Sequence, residues 1–369
     1  MSKKSKITYA QVGDNYDTKD PIKKLAQTAA RKTASNPKGS EFSEVSASRG
    51  ESAYVFKVGN QYFATVIEGL GTKNLIADAM RKINDKTYYD IIGHDTVATI
   101  VNDLVSVGAK PLVVHAYWAI EDNGWLKDKE RMRDFISGWQ KACDISGASW
   151  GGGETPTLKG IIEPQTVDLG GSALGILKSE KHVITDQKLK IGDKIILIKS
   201  NGINANGISL SRAISKKLQK GYTTKLSSWK TYGEALLTKT NIYAKLVQDL
   251  LNRGINIHYI SNITGHGLRK IMRARQNFTY VIEKIFEAQE VFDFIQKHAH
   301  INDYEMYQTF NMGQDFAIFV SPKDVKKTQQ IIAKNKFQSI VAGYVKRGPR
   351  QVIINPKNIT FTAETLDLR

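Results

Sequence analysis

The sequence is short of cysteine, of long apolar runs and of acidic side chains, and each shortage closes off a class of protein. A single cysteine, Cys143, stands among 369 residues, so neither an intramolecular disulfide nor a thiolate zinc site can be built. A reducing compartment fits that usage. No stretch approaches the roughly 18 apolar residues that a membrane-spanning helix requires. Met1 to Thr8 is polar and Lys-rich with no apolar run behind it, which predicts no secretory signal. Together these absences predict a soluble, cytoplasmic protein with no membrane partner. Acidic residues number 36 against 53 Lys and Arg, a net charge of +17. Such an excess gathers polyanions, either nucleic acid or phosphorylated small molecules. The lysines are spread along the chain, however (Lys23 and Lys24, Lys216 and Lys217, Lys326 and Lys327), and no aromatic-interleaved basic segment accompanies them. The surplus reads as solvated surface, and nucleic acid is not the expected partner.

What is present is a chain that can bury a core. Hydrophobic residues make up 41% of it, too many for a disordered protein, and its length predicts about two domains. Residues 1–50 read as a mobile segment with one helix, Pro21 to Thr33, capped by Asp20. Ala53 to Val58 and Tyr62 to Ile67 are β-branched and aromatic runs separated by Gly59 and Asn60, a hairpin pattern. A helix from Tyr89 to Val107, a strand from Leu112 to Ile120, a helix from Lys129 to Ser146 and a strand from Thr166 to Leu177 follow. These fill a first domain over residues 51–180. After a polar stretch, Leu177 to Gly192, a second α/β domain spans residues 190–360, with a long helix predicted from Gly233 to Asn252 and another from Thr264 to Arg275.

Four polar clusters interrupt the apolar pattern at strand ends or on helix faces, where function concentrates. The first is Glu68, Gly69, Leu70, Gly71, Thr72, Lys73: glycines admit a phosphate to the backbone, Glu68 suits a divalent ion and Lys73 a phosphate oxygen. The second is Asp95, Asn102 and Asp103. Asp95 and Asn102 stand seven residues apart and so share one helical face, an arrangement of oxygen donors that suits Mg²⁺. The third is Gly151 to Thr155, where Gly152, Glu154 and Thr155 leave a strand. The fourth comprises two loops leading into helices, Ser200 to Gly207 and Asn262 to Gly267, each a candidate anion site. His258 and His266 are candidates for acid/base work. Tight turns and solvated helix faces compete with each of these readings taken singly.

Taken jointly the clusters resemble the phosphoribosylformylglycinamidine cyclo-ligase (aminoimidazole ribonucleotide synthetase) family. The segments are EGLGTK at Glu68 to Lys73, GHDTVATIVNDL at Gly93 to Leu104, GGET at Gly152 to Thr155, SNGINANGIS at Ser200 to Ser209, ITGHG at Ile263 to Gly267 and EMYQTFNMG at Glu305 to Gly313. They run in order and at family-like spacings from about Tyr9 to Ile354.

The resemblance implies an α/β fold of mixed sheets in two domains, the N-terminal sheet pairing with that of a second subunit in a dimeric barrel and the C-terminal domain an α/β sandwich. It implies a homodimeric enzyme that uses ATP and Mg²⁺ to close the imidazole ring of a ribonucleotide substrate in purine biosynthesis. On this basis Lys73, Asp95, Asn204 and Asn262 are the expected catalytic residues, and Glu68, Asp95 and Asp103 the expected metal ligands. Glu68, Gly69, Gly71, Thr72, Asn102, Gly152, Glu154, Thr155, Thr264 and Gly265 are expected to bind the nucleotide.

The chain departs from the family pattern at several points. Glu68 stands where the family has Asp, the N-terminal glycine-rich flap is reduced to Asn36 to Ser40, and Asn204 and Asn262 replace two histidines. Asn orients a substrate by hydrogen bonds but transfers no proton near neutral pH. Either those histidines are dispensable, or His258 and His266 substitute for them, or the reaction differs. The rival readings are another ATP-using member of the superfamily with a different substrate, and a catalytically silent binding protein on the same fold.

Overall fold

The chain is described by a computed structural model covering residues 6–8, 10–13 and 16–366. The first domain runs α1 (Tyr16–Lys32), β1 (Phe42–Glu44), β2 (Tyr54–Val58), β3 (Gln61–Gly69), α2 (Asn74–Asn84), α3 (Tyr89–Ser106), β4 (Lys110–Ile120), α4 (Lys129–Ser146), β5 (Ser149–Glu154) and β6 (Val167–Leu177). The second runs β7 (Lys194–Lys199), α5 (Ile208–Ser215), α6 (Tyr232–Leu236), α7 (Ala244–Asn252), β8 (Ile257–Asn262), β9 (Phe278–Ile282), α8 (Glu290–Ala299), α9 (Asp303–Thr309), β10 (Gln314–Val320), α10 (Val325–Lys334), β11 (Ser339–Arg347), β12 (Gln351–Ile354) and β13 (Ile359–Thr362). The fold is α/β with two mixed sheets, ordered β1-β2-β3-β6-β4-β5 and β13-β12-β9-β11-β7-β10-β8. The pairs β4–β5 and β9–β12 are parallel and the other pairs antiparallel.

Helix α3 is the structural axis of the first domain. Its apolar residues Val97, Ile100, Val101, Leu104 and Val105 are wholly buried against the sheet on one side and α4 on the other. The two helices cross at a pair of glycines: a Cβ on Gly93 would lie 2.4 Å from Phe135 O, and one on Gly138 would lie 2.1 Å from Asp90 O. No larger side chain fits either position, so the backbones touch. Trp118, Phe135 and Trp139 seal the floor below, with Trp118 and Trp139 in edge contact at 5.5 Å. The opposite face of the same sheet is uncovered in the single chain, and Val58, Ile67, Leu112 and Tyr117 on it are exposed, Ile67 to 79%.

The structure differs from the sequence reading in several places, beginning with α1, which starts at Tyr16 and so holds Asp20 and Pro21 inside it instead of at its cap. The predicted helix Gly233 to Asn252 is two helices, α6 and α7, separated by Leu237 to Tyr243. Thr238, Thr240 and Asn241 are weak helix formers, and the backbone groups of this stretch are claimed by the first domain, as described below. The predicted helix Thr264 to Arg275 is a loop followed by a 3-10 turn, Gly267–Arg273. Helices α2 and α9 and strand β13 lie where the sequence reading placed no element. The segment before residue 50, read as mobile beyond its helix, contributes β1, which pairs with β2 through Phe42, Ser43 and Glu44.

Candidate active site

The polar residues of α3 divide into two sets. One set fastens the second domain to the first. Lys73, fully buried at the turn into α2, donates to Asp95 Oδ2 at 2.5 Å and to Thr238 O at 2.9 Å. Asp95 Oδ1 accepts from Thr240 N at 2.9 Å, and His94 Nε2 donates to Thr240 O at 2.9 Å. One turn pair further along, Asn102 Nδ2 donates to Asn241 O at 2.7 Å while its Oδ1 accepts from Tyr243 N at 2.9 Å. The break between α6 and α7 is therefore stitched to α3 by side chains that satisfy its unpaired peptide groups. Both carboxylate oxygens of Asp95 are occupied, and the Lys73 ammonium faces this carboxylate and a carbonyl in a site without solvent.

The other set forms a junction at the end of β3. Glu68 lies against Asp103, and Asp103 Oδ1 accepts from Asn262 Nδ2 at 2.7 Å across the domain boundary. Beyond Asn262 the chain turns through Thr264 and Gly265 into the 3-10 segment, which carries Lys270 back to donate to Thr264 Oγ1. Arg273 at its end donates to Ser52 Oγ at 2.6 Å. Burial, and then the negative charge of Asp103, push the Glu68 carboxyl well above its ordinary range. Burial lowers Lys270, and the carboxylates of Asp103 and Glu68 oppose that effect.

His266, in the same loop, has a left-handed backbone (φ +73°) that non-glycine residues seldom adopt. Its Nε2 lies 3.4 Å from Asp20 Oδ2, so α1 rests on this loop. Burial lowers the imidazole to about 4, which leaves it neutral at physiological pH. His258 is held elsewhere. Its Nδ1 is 2.8 Å from both Asp193 oxygens and its Nε2 accepts from Asn256 at 3.0 Å, at the far end of β8 and about 13 Å along the strand from Asn262.

A third polar group lies at the head of β10. Asp315 is buried, with Tyr243 Oη donating to its Oδ1 and Asn204 Nδ2 lying 3.4 Å from its Oδ2. Burial raises this carboxyl to about 7 against those hydrogen bonds. Asn204 and Asn262 flank the same strand, since Asn262 pairs with Phe316 and Ile263 N donates to Asp315 O. A cavity of about 560 Å³ opens beside Asn241, lined by Lys199, Ser200, Asn201, Gln289 and Lys336.

The fold thus gathers Glu68, Asp103, Asn262 and Thr264 in one junction, while Lys73, Asp95 and Asn102 serve the neighbouring clamp. Gly69 and Gly71 form the turn between them, Gly71 with φ +72°, and the partly buried Thr72 hydroxyl has no hydrogen-bond partner among the described residues. Gly152, Glu154 and Thr155 are not brought to the junction in the single chain. They are exposed at the sheet edge, and β5 lies three strand spacings, about 14 Å, from β3. Lys270, Arg273 and Tyr243 are polar members that the sequence reading missed. A lysine between the apolar residues Leu268 and Ile271 was the available signal for the first.

A two-domain α/β molecule with buried charged side chains at the domain boundary is the class that fold and site define. The family profiles described as AIR synthase related protein, N-terminal domain and C-terminal domain, match residues 50–177 and 190–355. The chain is 35% identical over 297 residues to the phosphoribosylformylglycinamidine cyclo-ligase of Carboxydothermus hydrogenoformans, covering 78% of this chain and 82% of that one. It is 32% identical over 337 residues to the enzyme of the same name from Methanobrevibacter smithii, covering 88% and 91%. Among solved structures, AaThiL complexed with AMPPCP and TMP shares the fold at a TM-score of 0.60 and 11% identity, over 92% of this chain and 93% of that chain. The chain belongs to the AIR synthase related family, among the phosphoribosylformylglycinamidine cyclo-ligases. No helix among the described residues is long and apolar enough to cross a membrane.

Proposed function

We propose that the chain is an ATP-dependent cyclo-ligase that closes formylglycinamidine ribonucleotide to aminoimidazole ribonucleotide in purine biosynthesis, acting as a cytoplasmic homodimer. The observation that carries the reading is the acidic junction of Glu68 and Asp103, bounded by Asn262 and Thr264 from the second domain, in a chain 30 to 35% identical to cyclo-ligases over about four-fifths of its length. In this reaction the γ-phosphoryl group of ATP passes to the amide oxygen of the substrate. The amidine nitrogen then attacks the activated carbon, the carbon–oxygen bond breaks, and phosphate leaves as the ring closes.

The residues act by position and charge. Glu68 and Asp103 fit one divalent cation: two carboxylates in contact repel each other, and a cation between them would relieve that repulsion. Asp95 does not fit, because Lys73 and Thr240 N–H already take both its oxygens. Bound Mg²⁺ would offset charge on the phosphates. Asn262 orients Asp103 from the second domain, so the two halves of the site are registered against each other by one 2.7 Å hydrogen bond. Neither Asn204 nor Asn262 carries a proton at neutral pH. The uncovered face of the first sheet, with Val58, Ile67 and Tyr117 exposed, supports pairing with a second copy.

The test is formation of ADP and aminoimidazole ribonucleotide from purified protein, ATP, Mg²⁺ and formylglycinamidine ribonucleotide. ATP hydrolysis that never depends on the ribonucleotide would overturn the reading.

A further inference from the structure

An enzyme that handles phosphate needs a cation within reach of it, and the sequence reading assigned that role to Lys73. In the fold Lys73 is spent on Asp95 and Thr238 O inside the interdomain clamp. Lys270 is differently placed. Its side chain is buried, with the residue only 4% exposed, yet its ammonium has one hydrogen-bond partner, Thr264 Oγ1, and no carboxylate within 4 Å among the described residues. An ammonium carries three donors, and a buried one left with two unfilled is costly unless an acceptor is supplied. It sits on the loop that runs from Asn262, the residue bound to Asp103, so it borders the acidic junction directly.

We infer that Lys270 is the phosphate-holding cation of this site, with its free N–H groups directed to oxygens of a bound phosphate while Glu68 and Asp103 are left for the metal. This rests on the cyclo-ligase reading and names a residue within it. Asp103, Arg273 and Glu68 lie near enough to Lys270 for their charges to act on it. Two phosphates come to this enzyme, the triphosphate of ATP and the 5′-phosphate of the ribonucleotide, and both present the same acceptor oxygens.

The experiment is calorimetric binding to the full-length protein of two probes, the non-hydrolysable ATP analogue AMPPNP with Mg²⁺ and formylglycinamidine ribonucleotide, for wild type, Lys270→Met, Lys270→Gln and Lys270→Arg. The expected result is a loss of about tenfold or more in Met and Gln for at least one probe, with Arg within about threefold of wild type. Loss confined to AMPPNP assigns the cation to the nucleotide, and loss confined to the ribonucleotide assigns it to the substrate. The Gln variant keeps a polar donor without the charge, so it tests the inference even where Met fails to fold. Wild-type binding of both probes with Gln within twofold of it overturns the inference alone. Wild-type protein that binds neither probe overturns the cyclo-ligase reading and this inference with it.

Discussion

Replacing Asp315 by Asn should stabilise the protein above neutral pH, by an amount that shrinks as the pH falls. Burial holds the Asp315 carboxyl at about 7, against an ordinary value of 3.8. Between those values the folded chain retains a proton that the unfolded chain releases, so stability declines as pH rises through that window and the full penalty is present above about pH 7. Three pKa units correspond to a ceiling of about 4 kcal/mol, of which about 2 to 3 kcal/mol accumulates between pH 5 and pH 8. Asn carries no such cost and can reuse the site. Its Oδ1 accepts from Tyr243, and its amide can donate to Asn204 Oδ1, a buried acceptor with no partner among the described residues, once the Asn204 amide rotates. Urea unfolding of wild type and D315N at pH 5 and pH 8 measures the difference directly, because every other titrating group is common to both. A variant equally destabilised at both values, or one that loses ground to wild type as pH rises, would refute the argument.

Lys73→Met should cost about 3 to 5 kcal/mol by leaving Asp95 buried and unpaired, and the double variant K73M/D95L should recover much of that in urea titrations. Recovery would identify the pair as a strut. Glu68→Gln removes a carboxylate pressed against Asp103, so it should gain about 1 kcal/mol at pH 8 while turnover falls about a hundredfold or more. Full activity in E68Q would exclude the acidic junction as the catalytic centre. Ile67→Glu places a charge on the uncovered sheet face and should yield a monomer by light scattering behind size-exclusion chromatography. An unchanged mass would show that this face is not the subunit contact.

What was legible in the sequence was what local periodicity encodes. The stripe of α3, the Gly59 and Asn60 hairpin and the limits of α4 all follow from side-chain spacing, and the strand runs other than the edge strands β1 and β13 are visible in the sequence. The break between α6 and α7 was not legible, because the apolar spacing continues through it. Only the presence of His94, Asp95 and Asn102 across the domain boundary explains why Thr240 and Asn241 leave the helix, and those contacts are about 140 residues away in sequence. The same limit divided the site. Glu68, Asp103 and Asn262 could be picked out by residue type next to turns, but Lys73 and Lys270 look alike in a string of letters. One is neutralised by a carboxylate and the other is not, a distinction made by tertiary placement alone. The sheet order likewise separates Glu154 from Glu68, which in sequence look like two strand-end carboxylates of one set.

The stitching of α3 to the stretch between α6 and α7 has a consequence for how the molecule could be taken apart. Five hydrogen bonds link Lys73, His94, Asp95 and Asn102 to residues 238–243, three donated by side chains and two by the main-chain N–H groups of Thr240 and Tyr243, independently of the covalent connection through residues 178–193. Chain continuity is then not what keeps the halves in register. Each half carries one side of these contacts, and neither half alone presents both walls of the acidic junction.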